Sequence, residues 1–150
     1  MIVKHTKLAD LYEADETAWL DAMADLIRRE QYSELDYEHL QEYLNDMSIR
    51  ERHQVQSRLE VLVLHVLKWT FQPDRRSASW RRSIIAQQER LALLMRRAVL
   101  RGHAEVILAE AYRIALRLAE AETELPAGSL PAECPYTVEQ LLTFDVGTES

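Results

Sequence analysis

LEVLVLHVLKWTFQPDRRSASW, residues 59–80, is the stretch whose reading decides the fold. Its first half reads as a helix. Val55, Leu59, Leu62, Val66 and Trp69 recur at alternating steps of four and three, which sets them on one stripe. Val63, Leu64 and Leu67 fall on the other sides, and a helix apolar all round is buried over most of its surface. Glu60, His65 and Lys68 interrupt it well short of the ~20 apolar residues that a membrane span needs. It therefore reads as the buried central helix of an all-α bundle. Ser48 with Glu51 reads as a capping box at its start. Pro73, which lacks a donor and clashes with the preceding turn, ends it.

The rest of the chain is expected to wrap this helix. The 150 residues suit one domain, and the three glycines and many helix formers argue for helices throughout. Leu8, Leu11 and Tyr12 are anchors in a mixed opening stretch. Asp15 is expected to cap a first helix to about Arg29, with Trp19, Met23, Leu26 and Ile27 inward. Asp36 caps a second, shorter helix to about Asp46, with Leu35 and Leu40 as a hydrophobic staple and Leu40, Tyr43, Leu44 and Met47 inward. Ser77 or Ser79 opens a fourth helix, with Ile84, Leu91, Met95 and Ala98 on its stripe and Ile85, Ala92 and Val99 beside them. Gly102 is placed as its C-terminal cap. An alanine-rich fifth helix follows from about His103 to Glu122, with Ala104, Ile107, Ala111, Ile114 and Leu118 inward. Pro126, Pro131 and Pro135 impose an extended segment, and Thr137 with Gln140 caps a short final helix. The expectation is a single domain over residues 1–150, with a core at about 8–143 and flexible residues 144–150.

Charge is segregated along the chain. Residues 1–49 carry a net −8, residues 50–101 a net +8 and residues 102–150 a net −7. Either the helices pair with one another, or the basic middle is a face for an anionic partner. The single cysteine, Cys134, excludes an intramolecular disulfide and fits a reducing cytosol. Met1 to His5 show no apolar run of the signal-peptide kind, so the expected setting is cytoplasmic, with no membrane association.

Three segments, in this order and spacing, resemble a known bacterial family. They are SELD at 33–36, HVLKWTFQPDRRSASW at 65–80 and ECPYTVEQLL at 133–142. The family is domain of unknown function 29, and the resemblance covers nearly the whole chain. It implies a small helical domain and no assigned activity. His39 stands where that family commonly shows asparagine. Arg101-Gly102-His103 replaces a serine- and proline-containing link between its fourth and fifth helices.

Chemistry is sparse. His53 and His65 are twelve residues apart, about 120° around one helix, and do not face one site. No HExxH, CxxC or EF-type set of acids occurs, so neither a metal nor a cofactor is expected. Cys134 lies between prolines with no histidine near it in sequence, and no nucleophile sits beside a base. The candidate cluster is Arg58, His65, Trp69, Arg75, Arg76 and Trp80, as a binding surface or a structural knot. The leading reading is a non-catalytic interaction or structural domain that binds a protein or itself, with Leu93 amid arginines as a candidate self-contact. The alternative is nucleic-acid or acidic-partner binding through the turn at residues 71–82, using Arg75, Arg76, Arg81 and Arg82 with Phe71 and Trp80 for stacking. An enzyme with a pocket at His65 walled by Trp69 and Trp80 ranks below both.

Overall fold

Neither proline nor glycine occurs before Pro73, so the first half of the chain holds no residue that forbids helix. The structure, a computed structural model, describes residues 2–147, with side chains from Leu8 onward. The described residues are all-α, with no strand. Six helices occur in the order α1 (Ile2–Ala14), α2 (Glu16–Arg28), α3 (Tyr37–Phe71), α4 (Ala78–Leu94), α5 (Ala98–Thr123) and α6 (Val138–Leu142). Short 3-10 turns at Tyr32–Glu34 and Pro73–Arg75 precede α3 and α4. Contacts divide the chain into two compact units, Met1–Ile49 and Arg50–Ser150, and α3 runs through the boundary.

In the first unit, the opening stretch is itself helical. Asp15 separates α1 from α2: its N–H donates to Leu11, and its carboxylate accepts from Ala18 N–H at 3.1 Å. Trp19, Met23 and Tyr12 are buried together, with Leu8, Leu11, Leu20, Leu35, Leu40 and Tyr43 packed around them. Glu30, at φ 60, ends α2 in a Schellman turn: Gln31 N–H reaches Leu26 and Glu30 N–H reaches Ile27. That reversal carries Ile27 past the edge of the core, and it is exposed rather than inward. Leu44 is exposed for a related reason: Leu40 and Tyr43 hold the inner line, and Leu44 lies beyond it.

A second correction concerns Ser48. No helix starts there: α3 is one helix of 35 residues, about 52 Å at 1.5 Å per residue. With no proline or glycine between Asp36 and Pro73, a capping pattern inside strong helix formers stays helical.

In the second unit, Leu59, Leu62, Val63, Val66 and Leu67 are fully buried, and Leu64 and Trp69 nearly so. α4 contributes Ile84 and Leu91. α5 contributes Leu100, Tyr112 and the line Ala104, Ala111, Ala115 and Ala119. Leu118 is exposed, because this line advances by fours from Ala111 and leaves Leu118 on the outer face.

The boundary between the fourth and fifth helices is earlier than expected. Met95 to Arg97 form the break: Arg101 donates to the Met95 carbonyl at 3.3 Å, and Arg97 forms an ion pair with Glu51. Gly102 is therefore no cap but an exposed residue inside α5, while Ala98, Val99, Ala92 and Ile85 face outward. After α5, Tyr112 donates from its hydroxyl to the Pro131 carbonyl and pins the extended segment; burial pushes its pKa up to about 12. Thr137 and Gln140 form the expected capping box on α6. Gln88 then donates to the carbonyls of Leu141 and Phe144 at 3.0 and 2.9 Å. Val146 is buried, so packed structure continues beyond residue 143. Residues 148–150 lie outside the described residues.

A Cβ added at Gly102 would meet nothing within 4 Å. Gly102→Ala is accordingly expected to stabilise the protein by about 0.5–1 kcal/mol, the helix-propensity difference. Urea unfolding checks this, and a destabilised variant would contradict the placement of Gly102 inside α5.

Candidate functional site

The end of α3 gathers part of the expected cluster. Pro73 stops the helix and leaves its last carbonyls unpaired. Arg76 fills one of these places: its Nε donates to the Trp69 carbonyl at 2.8 Å, where positive charge also meets the negative end of the helix dipole. The same guanidinium lies 4.8 Å from the centre of the Trp69 ring, and that of Arg81 lies 5.4 Å from it. Lys68 stands 4.7 Å from the centre of the Trp80 ring and pairs with Glu122 at 3.0 Å. Ser77 caps α4 by accepting from Trp80 N–H, and Gln72 donates to the Thr123 carbonyl. Trp69 and Trp80 therefore each hold their own cation, and among the described residues no ring contact joins them. Arg75 is exposed, with no side-chain partner among the described residues.

Two members of the cluster lie elsewhere. His65 Nδ1–H donates to the Val61 carbonyl at 2.8 Å, one turn back along its own helix. Arg58 reaches α4 instead and donates to Gln87 Oε1 at 3.3 Å. Both residues line a groove of about 430 Å³, together with Arg50, His53, Gln54, Ser57 and Val61. Only Arg58 was singled out from sequence. The signal for the others is their spacing, since positions 50, 53, 54, 57, 58 and 61 follow the helical three-and-four rule with polar residues at all but the last.

The first unit holds an acid–histidine pair that sequence reasoning passed over. Asp36 lies just before α3 and accepts from the His39 backbone N–H at 3.3 Å, as expected of a cap. It also holds His39 Nδ1 at 2.6 Å and accepts from Trp19 Nε1–H at 3.2 Å. The imidazole stacks on Tyr12, with ring centres 4.4 Å apart. The hydrogen bond to Asp36 raises the pKa of His39, and burial only partly opposes it. Burial tends to raise the Asp36 carboxyl, but the bonds from His39 and Trp19 outweigh it and hold it below its ordinary value. The i, i+3 spacing of an N-cap aspartate and a histidine is the sequence signal. Among the described residues, no group of three or more histidines, cysteines or carboxylates converges as a metal would require.

Two outcomes follow. Arg76→Ala is expected to cost about 1–2 kcal/mol through the lost carbonyl bond and cation–π contact. Arg75→Ala is expected to stay within about 0.5 kcal/mol, as for other surface changes. Paired denaturant curves separate the two. The His39–Asp36 pair predicts a pH profile. A raised histidine pKa gives stability that is fully present below pH 6.5 and lost as pH rises through the folded value. The lowered Asp36 pKa gives stability present above pH 3.8 and lost as pH falls through its folded value. His39→Asn should abolish the alkaline-side decline in melting temperature; a decline of unchanged size would show that another group causes it.

No curated protein and no solved structure matches the chain. A family model does, over residues 11–146, a span that takes in α2 to α6, the cation-covered tryptophans, the α3–α4 groove and the Asp36–His39 pair. The chain belongs to the family described as Domain of unknown function DUF29.

Proposed function

We propose that this protein is a non-catalytic interaction module that presents the basic face of α3 and α4 to an acidic protein partner. The observation that carries the reading is the division of labour among its cations. Arg76, Arg81 and Lys68 cover tryptophan rings of their own chain. Arg58 lines a groove and reaches Gln87 across it. A nucleic-acid reading through residues 71–82 needs free aromatic faces for stacking. Trp69 is 6% exposed and covered by guanidinium, Trp80 has Lys68 over its ring, and Phe71 packs against the core. An enzyme at His65 finds no support in its bond to its own helix. The family match across both contact units supports treating the chain as one functional domain. Among the described residues no helix is long and apolar enough to cross a membrane. A cytoplasmic setting accords with the lone Cys134 thiol, whose pKa burial pushes up.

The test is fluorescence anisotropy with the full chain, against a labelled glutamate-rich peptide and a labelled single-stranded oligonucleotide. The peptide is expected to bind, more weakly as salt rises. An oligonucleotide that binds more tightly than the peptide, and loses affinity in Arg75→Ala with Arg82→Ala, would overturn the ordering.

A further inference from the structure

We propose that the cleft between the α4–α5 corner and α6 binds a free apolar dipeptide or tripeptide, held at its carboxylate by arginine and at its ammonium group by glutamate. The site lies apart from α3 and does not rest on the acidic-partner reading.

The cleft encloses about 660 Å³. Sites that enclose a small organic molecule run from ~300 to ~1,000 Å³. The floor is apolar: Met95, Leu108, Val138 and Leu142 line it, with the Tyr136 ring beside them. Met95 and Val138 are buried, and the other three are partly buried and pack on the main core. The walls are fixed before any ligand arrives. The capping box of Thr137 and Gln140 sets the start of α6, and Gln88 holds its far end through the Leu141 and Phe144 carbonyls. Tyr136 meets Phe144 edge to face, with ring centres 6.4 Å apart. A cleft built in this way loses little freedom on binding.

The rim carries both signs of charge. Arg101 donates through Nη1 to the Met95 carbonyl, and so stands at the corner that Arg96 also occupies. Glu105 follows Arg101 by one turn of α5, and Glu139 lies on α6. Among the described residues, the side chains of Arg96, Glu105 and Glu139 form no ion pair. Arg101 and Glu105 stand at i, i+4 yet do not pair, because Arg101 is turned back to Met95. Cations and carboxylates left open over one apolar floor are complementary to a molecule with both charges and an apolar body. A fatty acid satisfies the cations and leaves the acids facing its chain.

Size narrows the ligand. At the ~30 Å³ that each molecule of liquid water occupies, the cleft has room for about twenty non-hydrogen atoms, more than a free apolar amino acid fills. Arg101 and Glu105 are about 6 Å apart along the axis of α5, and further at their tips because Arg101 leans toward Met95. An extended chain spans ~3.3–3.6 Å per residue, so two or three residues set an ammonium group and a carboxylate at that separation.

Isothermal titration calorimetry on the full chain tests this with dileucine, trileucine, N-acetyl-dileucine, dileucine amide and dodecanoate. The two free peptides are expected to bind. Capping either terminus should weaken binding about tenfold, the effect of losing one charge-assisted hydrogen bond. Arg96→Gln should weaken dileucine by a similar factor and dileucine amide no further. Glu105→Gln with Glu139→Gln should weaken dileucine but leave N-acetyl-dileucine as it was. All three positions are exposed, and circular dichroism melting confirms that the variants fold. Arg58→Ala, on α3, should change nothing. If neither free peptide binds at millimolar concentration, or if both capped forms bind as well as the free ones, the proposal is wrong. If binding is unchanged in both sets of variants, the cleft is not the site. If dodecanoate displaces both peptides and depends on Arg96 alone, the cleft takes a lipid carboxylate and the peptide is the wrong occupant.

Discussion

Leu59, Leu62, Val63, Val66 and Leu67 point in different directions around the second half of α3, and water reaches none of them. One neighbouring helix cannot cover such a segment, so it must be enclosed. Each leucine or valine so enclosed contributes about 1.5–3 kcal/mol relative to exposure. The packing of α4, α5 and the tail follows from that requirement. α4 brings Ile84 and Leu91, α5 brings a line of alanines, and the tail closes the remaining side with Val138, Leu141 and Val146. Gln88 fastens that closure by occupying the carbonyls of Leu141 and Phe144, which would otherwise face an apolar surface.

Helix termination is the second constraint, and it shapes the surface chemistry. Pro73 ends α3 abruptly, and the loose carbonyl of Trp69 recruits Arg76. The guanidinium, once there, covers the Trp69 ring as well. The basic, aromatic turn that reads as a recognition motif is in this way consumed by its own helix end. Arg58, outside the turn, reaches α4 instead and donates to Gln87.

The legibility of these features differs for physical reasons. The buried run in α3 was readable because hydrophobic periodicity is a property of a single helix. The caps at Asp15, Ser77 and Thr137 were readable because capping is decided within four residues. Boundaries inside helical sequence were not. Ser48 carries a start pattern, but a continuing helix has no reason to stop there; Gly102 carries an end pattern, yet it lies about one turn inside the start of α5. Leu44, Ile27 and Leu118 were misjudged because each lies on the margin of an apolar stripe, and only the neighbour's position tells which margin is wet. The candidate cluster divided along the same line. Trp69 and Arg76 meet through local geometry, whereas the partner of Arg58 is 29 positions away on another helix.

The alanines of α5 carry one more implication. Ala104, Ala111, Ala115 and Ala119 have no exposed surface, and each lies where a larger side chain would have to displace its neighbours. In most cores the biggest residues tolerate change least. Here the smallest ones act as spacers that fix how near two backbones come, and enlarging any of them pries the layers apart. Leu118, far bulkier but turned to solvent on the same helix, has freedom to vary. Efforts to diversify this scaffold therefore have their widest latitude where α5 is largest and their narrowest where it is least conspicuous.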